Sequence, residues 1–247
     1  MLLAVPIGLA IGLLLGLLGG GGSILAVPAL VYVLGQDVRS ATTMSLLVVG
    51  ATALAGALAH ARGRHVAWRC ALAFGAIGGV GALAGTALNR NLDEQLILVL
   101  FALVLLAAAW AMLRQRPPVQ ARAQRGWMTV FPIALGVGVL TGFFGVGGGF
   151  LIVPALVVLL GMPMELAVGT SLLVIALTSA LALSAHLASG AIQWPIAVAM
   201  TGSAIVGALA GSTVGGRVAQ ERLRQGFAGL IVAIGAVLLA KNGPALV

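Results

Sequence analysis

Apolar residues run almost unbroken over roughly 2–18, 24–34, 41–59, 70–88 and 96–113, then again over about 128–144, 150–160, 167–185, 194–213 and 226–240. Charged residues fall in or beside the breaks between these runs, and none sits in the middle of one. Most runs approach the ~20 residues that a helix needs to cross a bilayer core of ~30 Å. The second run of each set does not. Residues 24–34 would span only about 17 Å as a helix at ~1.5 Å per residue. They predict a short or re-entrant helix that starts directly after a cluster of glycines.

The two sets are copies. Residues 16–30 read GLLGGGGSILAVPAL, and residues 142–156 read GFFGVGGGFLIVPAL, an offset of 126 residues from Pro28 to Pro154. The offset holds beyond this block. Pro6 matches Pro132, Gly35 matches Gly161, Ser45 matches Ser171, His60 matches His186 and Trp68 matches Trp194. Two equivalent halves, each interrupted by glycines inside apolar sequence, are the pattern of a transporter built by duplication. The chain divides into an N-terminal repeat over 1–113, a linker over 114–126 and a C-terminal repeat over 127–247, all one integral membrane domain. Each repeat has about five helical elements. The fold class is therefore all-α and polytopic.

Composition narrows this further. Of 247 residues, 61% are hydrophobic and 7% charged, with a mean hydropathy of +1.18. A soluble domain carries about 25% charged residues and could not hide so much apolar surface. The single cysteine, Cys70, excludes an internal disulfide framework and argues against a thiolate metal site. A net charge of +8 suggests nucleic acid at first sight. Arginines spread over short loops with no basic face read instead as determinants of membrane orientation. The N-terminus lacks a basic leader segment and recurs in mid-chain, so it reads as structure and not as a cleaved signal.

Loop charge gives the halves a direction. Loop 60–69 holds Arg62, Arg64 and Arg69 with no acid, and the linker holds Arg114, Arg116, Arg122 and Arg125 with no acid. The positive-inside rule makes both cytoplasmic and puts loop 89–95 outside. In the second half the pattern inverts. Loop 186–194 has no charged residue apart from His186, whereas loop 215–221 holds Arg217 and lies next to Arg222 and Arg224. Homologous loops thus fall on opposite sides, which predicts an inverted-topology repeat with both termini outside. Crossing and re-entry by the short helix preserve this parity equally, and both stay open.

The glycine clusters are candidate sites. In hydrocarbon an unpaired backbone group costs several kcal/mol, so such a run is buried in protein or lines a polar cavity. The helix after it begins with unpaired N–H groups and a partial positive charge, which suits an anion. A pseudo-two-fold axis in the membrane plane would bring both breaks together near the midplane. The candidate binding residues are Gly19, Gly20, Gly21, Gly22 and Ser23 in the first block, and Gly145, Gly147, Gly148 and Gly149 in the second. Hydroxyls nearby are Thr42, Thr43, Ser45, Thr141, Thr170 and Ser171. The spaced stripes Gly8–Gly12–Gly16, Gly81–Gly85 and Gly207–Gly211 are better explained as helix-packing faces. Pro28 and Pro154 read as kinks.

No Asp/Glu relay lies inside a span, so coupling to protons would run through a histidine, the substrate's own ionisation or the net charge moved. His60 and His186 sit at matched helix ends, where a proton or substrate role competes with a plain interfacial one. Arg39 could draw an anion to the outer mouth, or simply pair with Asp37. Trp68 and Trp194 read as interfacial belt residues. Nucleotide-binding, hydrolase and metal-ligand motifs are missing, so neither an enzyme, a cofactor nor a metal is predicted. The partners are a small anion and the lipid bilayer, with no nucleic acid; a homodimer stays open.

With its two glycine-rich blocks running into prolines, Gly16 to Pro28 and Gly142 to Pro154, the chain resembles the TauE/SafE sulfite exporter family, also called the TSUP family. The resemblance covers essentially the whole chain. It implies export or exchange of small sulfur anions such as sulfite, sulfoacetate or related sulfonates across the bacterial cytoplasmic membrane. The residues themselves reach only a small anion. The alternatives are an anion channel, a permease for a small anion without sulfur, and a membrane partner that transports nothing.

Overall fold

A computed structural model describes residues 3–89, 94–114, 127–144, 149–186 and 192–242. Among these the regular structure is entirely helical, and seven helical stretches are long and apolar enough to cross a membrane. Helix α1 (Ala4–Leu18) ends in a 3₁₀ turn over Gly19–Gly22 and continues as α2 (Ser23–Pro28). Then come α3 (Val38–Arg62), α4 (Trp68–Asn89) and α5 (Glu94–Arg114). The second half repeats the order as α6 (Trp127–Phe144), α7 (Gly149–Pro154), α8 (Met164–His186), α9 (Trp194–Gly215) and α10 (Gln220–Asn242). The last helix begins at Gln220, earlier than its apolar run, because Arg222 and Arg224 occupy its first turns.

The repeat in sequence is a repeat in backbone. α2 and α7 each end at a proline and pass into a π-helical turn, Ala29–Val33 and Ala155–Leu159. A proline has no N–H to give and its ring crowds the carbonyl four residues back, so each α-helix is interrupted here and a π turn follows. Both turns close alike. Leu34 N–H donates to Ala29 at 3.2 Å, and Leu160 N–H to Ala155 at 3.1 Å. Gly35 and Gly161 follow with φ of 65° and 68°, a left-handed conformation that glycine adopts without a Cβ penalty. α3 then starts on Asp37, whose carboxylate accepts the Ser40 N–H at 3.0 Å, a cap that contributes about 1 kcal/mol.

Tertiary packing crosses between halves. Gly8, Gly12 and Gly16 of α1 rest on Met200, Ala204 and Ala208 of α9 in rising order, so the two helices run parallel. Gly81 and Gly85 of α4 rest on Leu135 and Val139 of α6, also parallel. Missing side chains let these backbones touch, and close van der Waals contact is what holds helices together in lipid. The packing role expected for the spaced glycines is thus met at each stripe. α3 and α8 pack antiparallel, with Gly50 against Ser179 and Gly56 against Leu172. α5 packs on α10, where Gly235 meets Leu106. Large apolar side chains such as Tyr32, Leu83 and Met128 point outward, as a lipid-facing surface requires.

Candidate functional site

Leu15, at the end of α1, accepts the Gly19 N–H, and Gly19 then leaves the right-handed region at φ 71° and ψ −122°. This single residue breaks the helix. All four glycines are buried. The chain turns helical again at once, so the Ser23 N–H donates to Gly20 rather than standing free at the start of α2. The Ser23 hydroxyl donates to the same carbonyl at 2.7 Å.

The first break meets the second half directly. A β-carbon on Gly20 would fall on the Gly149 carbonyl, and one on Gly149 would stand 2.7 Å from the Ser23 hydroxyl. One on Gly19 would stand 2.5 Å from the Ser171 hydroxyl. Gly149 and Phe150 open α7, and Phe101 of α5 stacks edge-on against Phe150 at 4.8 Å and tilted against Phe144 at 5.1 Å. Gly145, Gly147 and Gly148 lie outside the described residues.

The hydroxyls are mostly turned to the backbone. Ser45 donates to Thr42 and Ser171 to Val168, both at 2.8 Å. Thr141, also at 2.8 Å, donates to Gly138. Thr43 is fully buried on α3. Thr170 serves a different contact, accepting the Ala67 N–H of the α3–α4 loop at 3.0 Å. Arg39 and His186 are in α3 and α8; their side chains are outside the described set.

His60 is not a wet interfacial ring. It is 8% exposed, and its Nε2 donates to the Gly16 carbonyl at 3.2 Å. That carbonyl lies in the last turn of α1, where helix carbonyls lack partners. His60 therefore ties the end of α3 to the start of the break. Around it lies a cavity of about 360 Å³, whose wall includes Leu17, His60, Arg62, His65, Glu165, Val168, Ser212 and Thr213. The hydropathy pattern did not single out His65. It has Ala191 at its repeat position, and its partner Glu165, 3.4 Å away, comes from the other half.

The profile of the family described as "Sulfite exporter TauE/SafE" matches residues 4–238. A protein of Xylella fastidiosa (strain 9a5c) named "Probable membrane transporter protein" is 35% identical over 245 residues, covering 96% of this chain and 94% of its own. "Probable membrane transporter protein YunE" of Bacillus subtilis (strain 168) is 30% identical over 236 residues, covering 85% and 86%. No solved structure matches. A multi-pass membrane chain, all-helical among its described residues and carrying two glycine-rich motifs, matched over nearly its full length by this profile and these relatives, belongs to the TauE/SafE sulfite exporter family.

Proposed function

We propose that the protein is a secondary transporter that exports a small sulfur-containing anion, sulfite, sulfoacetate or a related organosulfonate, across the bacterial cytoplasmic membrane. The substrate site lies near the midplane, where the first glycine break meets the start of α7. The observation that carries this is the backbone contact of Gly20 with Gly149. It brings the two repeated motifs together in a buried place without a fixed charge, where backbone N–H groups of the break would be the donors, since the Ser23 and Ser171 hydroxyls already serve backbone carbonyls. The family membership supplies the sulfur chemistry.

Helix directions support reading residues 1–113 and 127–247 as repeats of inverted topology. α3 and α8 occupy equivalent places in the two halves, yet they run antiparallel. A two-fold axis that relates them must lie across the helices, in the plane of the membrane. The cavity wall also takes residues 59–65 and 212–216 together, so loops from non-equivalent positions share one side. With the arginine distribution, that side is cytoplasmic, and both termini lie outside.

The test is flux in liposomes. Exchange of labelled sulfite or sulfoacetate should saturate with concentration. Current that rises linearly with voltage and does not saturate would make the protein a channel, and absence of both flux and binding would overturn the transporter reading.

A further inference from the structure

The cavity beside His60 has a chemistry of its own. α3 ends in a tight turn in which the N–H groups of Gly63 and Arg64 donate to the carbonyls of His60 and Ala61. Arg64 takes a φ of 59° there. The turn folds His65 back until its ring centroid is 6.5 Å from that of His60. His60, His65 and Arg62 thus share one cavity wall.

Orientation in the membrane does not require this. Any arginine in loop 60–69 serves the positive-inside rule, and of Arg62, Arg64 and Arg69 only Arg62 lines the cavity. Among the described residues Arg62 has no ion-pair partner. Among the described residues Glu165 is the one carboxylate in the wall, and it faces His65. Arg62 is the cation of the wall that no described carboxylate engages. Ser212 and Thr213 give their protons to the carbonyls of Leu209 and Ala210 at 2.8 and 2.7 Å. The His60 N–H is held by the Gly16 carbonyl and the His65 Nε2 faces Glu165, so the donor left for a ligand is Arg62. A planar guanidinium presents two parallel N–H groups that match two oxygens of one oxyanion.

The floor connects to the break. His60 holds the Gly16 carbonyl, and Val168 stands between the cavity and Gly19. We infer that this cavity is a second binding station for a small oxyanion, anchored by Arg62 and placed in series with the glycine break on the side of loop 60–69. Glu165 tunes it by holding His65. As a loading station it rests on the transporter reading; as a binding site it does not.

Two measurements on the intact protein separate these. The first is calorimetric binding of sulfite and of sulfoacetate in detergent. The second is initial flux in liposomes of determined orientation. Arg62→Gln should weaken binding and raise the half-saturating concentration from the loop 60–69 face about tenfold, the worth of one charge-assisted hydrogen bond. The maximal rate and half-saturation from the other face should hold. Arg62→Lys should fall between, and Arg69→Gln, which removes the same loop charge away from the cavity, should match wild type. His65→Gln frees Glu165 and should weaken binding, whereas Glu165→Gln should tighten it. A purely structural clamp would move both in the same direction. Wild-type flux with unchanged Arg62→Gln binding overturns the station and leaves the transporter. Arg62-dependent binding without wild-type flux keeps the station and overturns the transporter. No binding and no flux overturns both.

Discussion

Gly20 and Gly149, one from each half of the chain, are in backbone contact, with no room for a β-carbon between them. Gly20→Ala must push the start of α7 away from the first break. Buried overpacking of this kind costs about 1–3 kcal/mol, and transport should be lost. Gly136→Ala is the control, because open space surrounds that position; a helical alanine should stabilise by up to ~1 kcal/mol and leave flux intact. Thermal unfolding in detergent and liposome flux read both variants. Full transport by Gly20→Ala would remove the break from the site.

The parallel helix pairs should fail independently of the site. A β-carbon on Gly12 would overlap the Ala204 carbonyl, and one on Gly142 the Ala82 carbonyl. Gly12→Val and Gly142→Val should each lower the melting temperature and the yield of monodisperse protein, by more than the ~1 kcal/mol of a helix-propensity change. An unchanged melting temperature would mean that the α1–α9 or the α4–α6 contact is not maintained.

His60 holds a buried carbonyl across 44 residues of sequence. His60→Ala leaves Gly16 O unpaired, at a cost of about 1–3 kcal/mol. His60→Gln carries an N–H₂ of similar reach and should recover part of the loss. Denaturation of the three proteins side by side checks this. Equal stability of His60→Ala and wild type would mean that water or another donor replaces the imidazole.

Orientation is accessible to cysteine labelling. In a Cys70→Ser background, Gly63→Cys and Gly216→Cys should react with an impermeant maleimide from the same, cytoplasmic side. Ser189→Cys, the repeat equivalent of Gly63, should react from the opposite side. Labelling of positions 63 and 189 from one side would end the inverted-repeat reading.

Hydropathy and glycine spacing carried the helices and their packing faces, because desolvation and close approach both act through residue type. The stripe Gly8–Gly12–Gly16 identified a face; it could not identify α9 as the partner, since any small-residue helix fits such a groove. The break at Gly19 was legible, but the 3₁₀ turn that rejoins it to α2 was not, because four glycines suit a turn and an open loop equally. The two π turns were beyond reach for a related reason: Pro28 and Pro154 announce a disturbance and not its form. His65 and Glu165 were hidden because their meaning lies in a pairing across halves that the repeat does not duplicate.

The cross-half pairs have a consequence for how such a chain can be assembled. α1 finds its groove on α9, and α4 finds its ridge on α6, so neither half owns a finished surface. A chain cut within 114–126 should stay associated, held by four glycine-lined seams. Either half made alone would leave its seams facing lipid. On the inverted-repeat proposal, a half-length chain would find these seams only by pairing with a second copy inserted in the opposite sense, and the tether over 114–126 makes that pairing intramolecular.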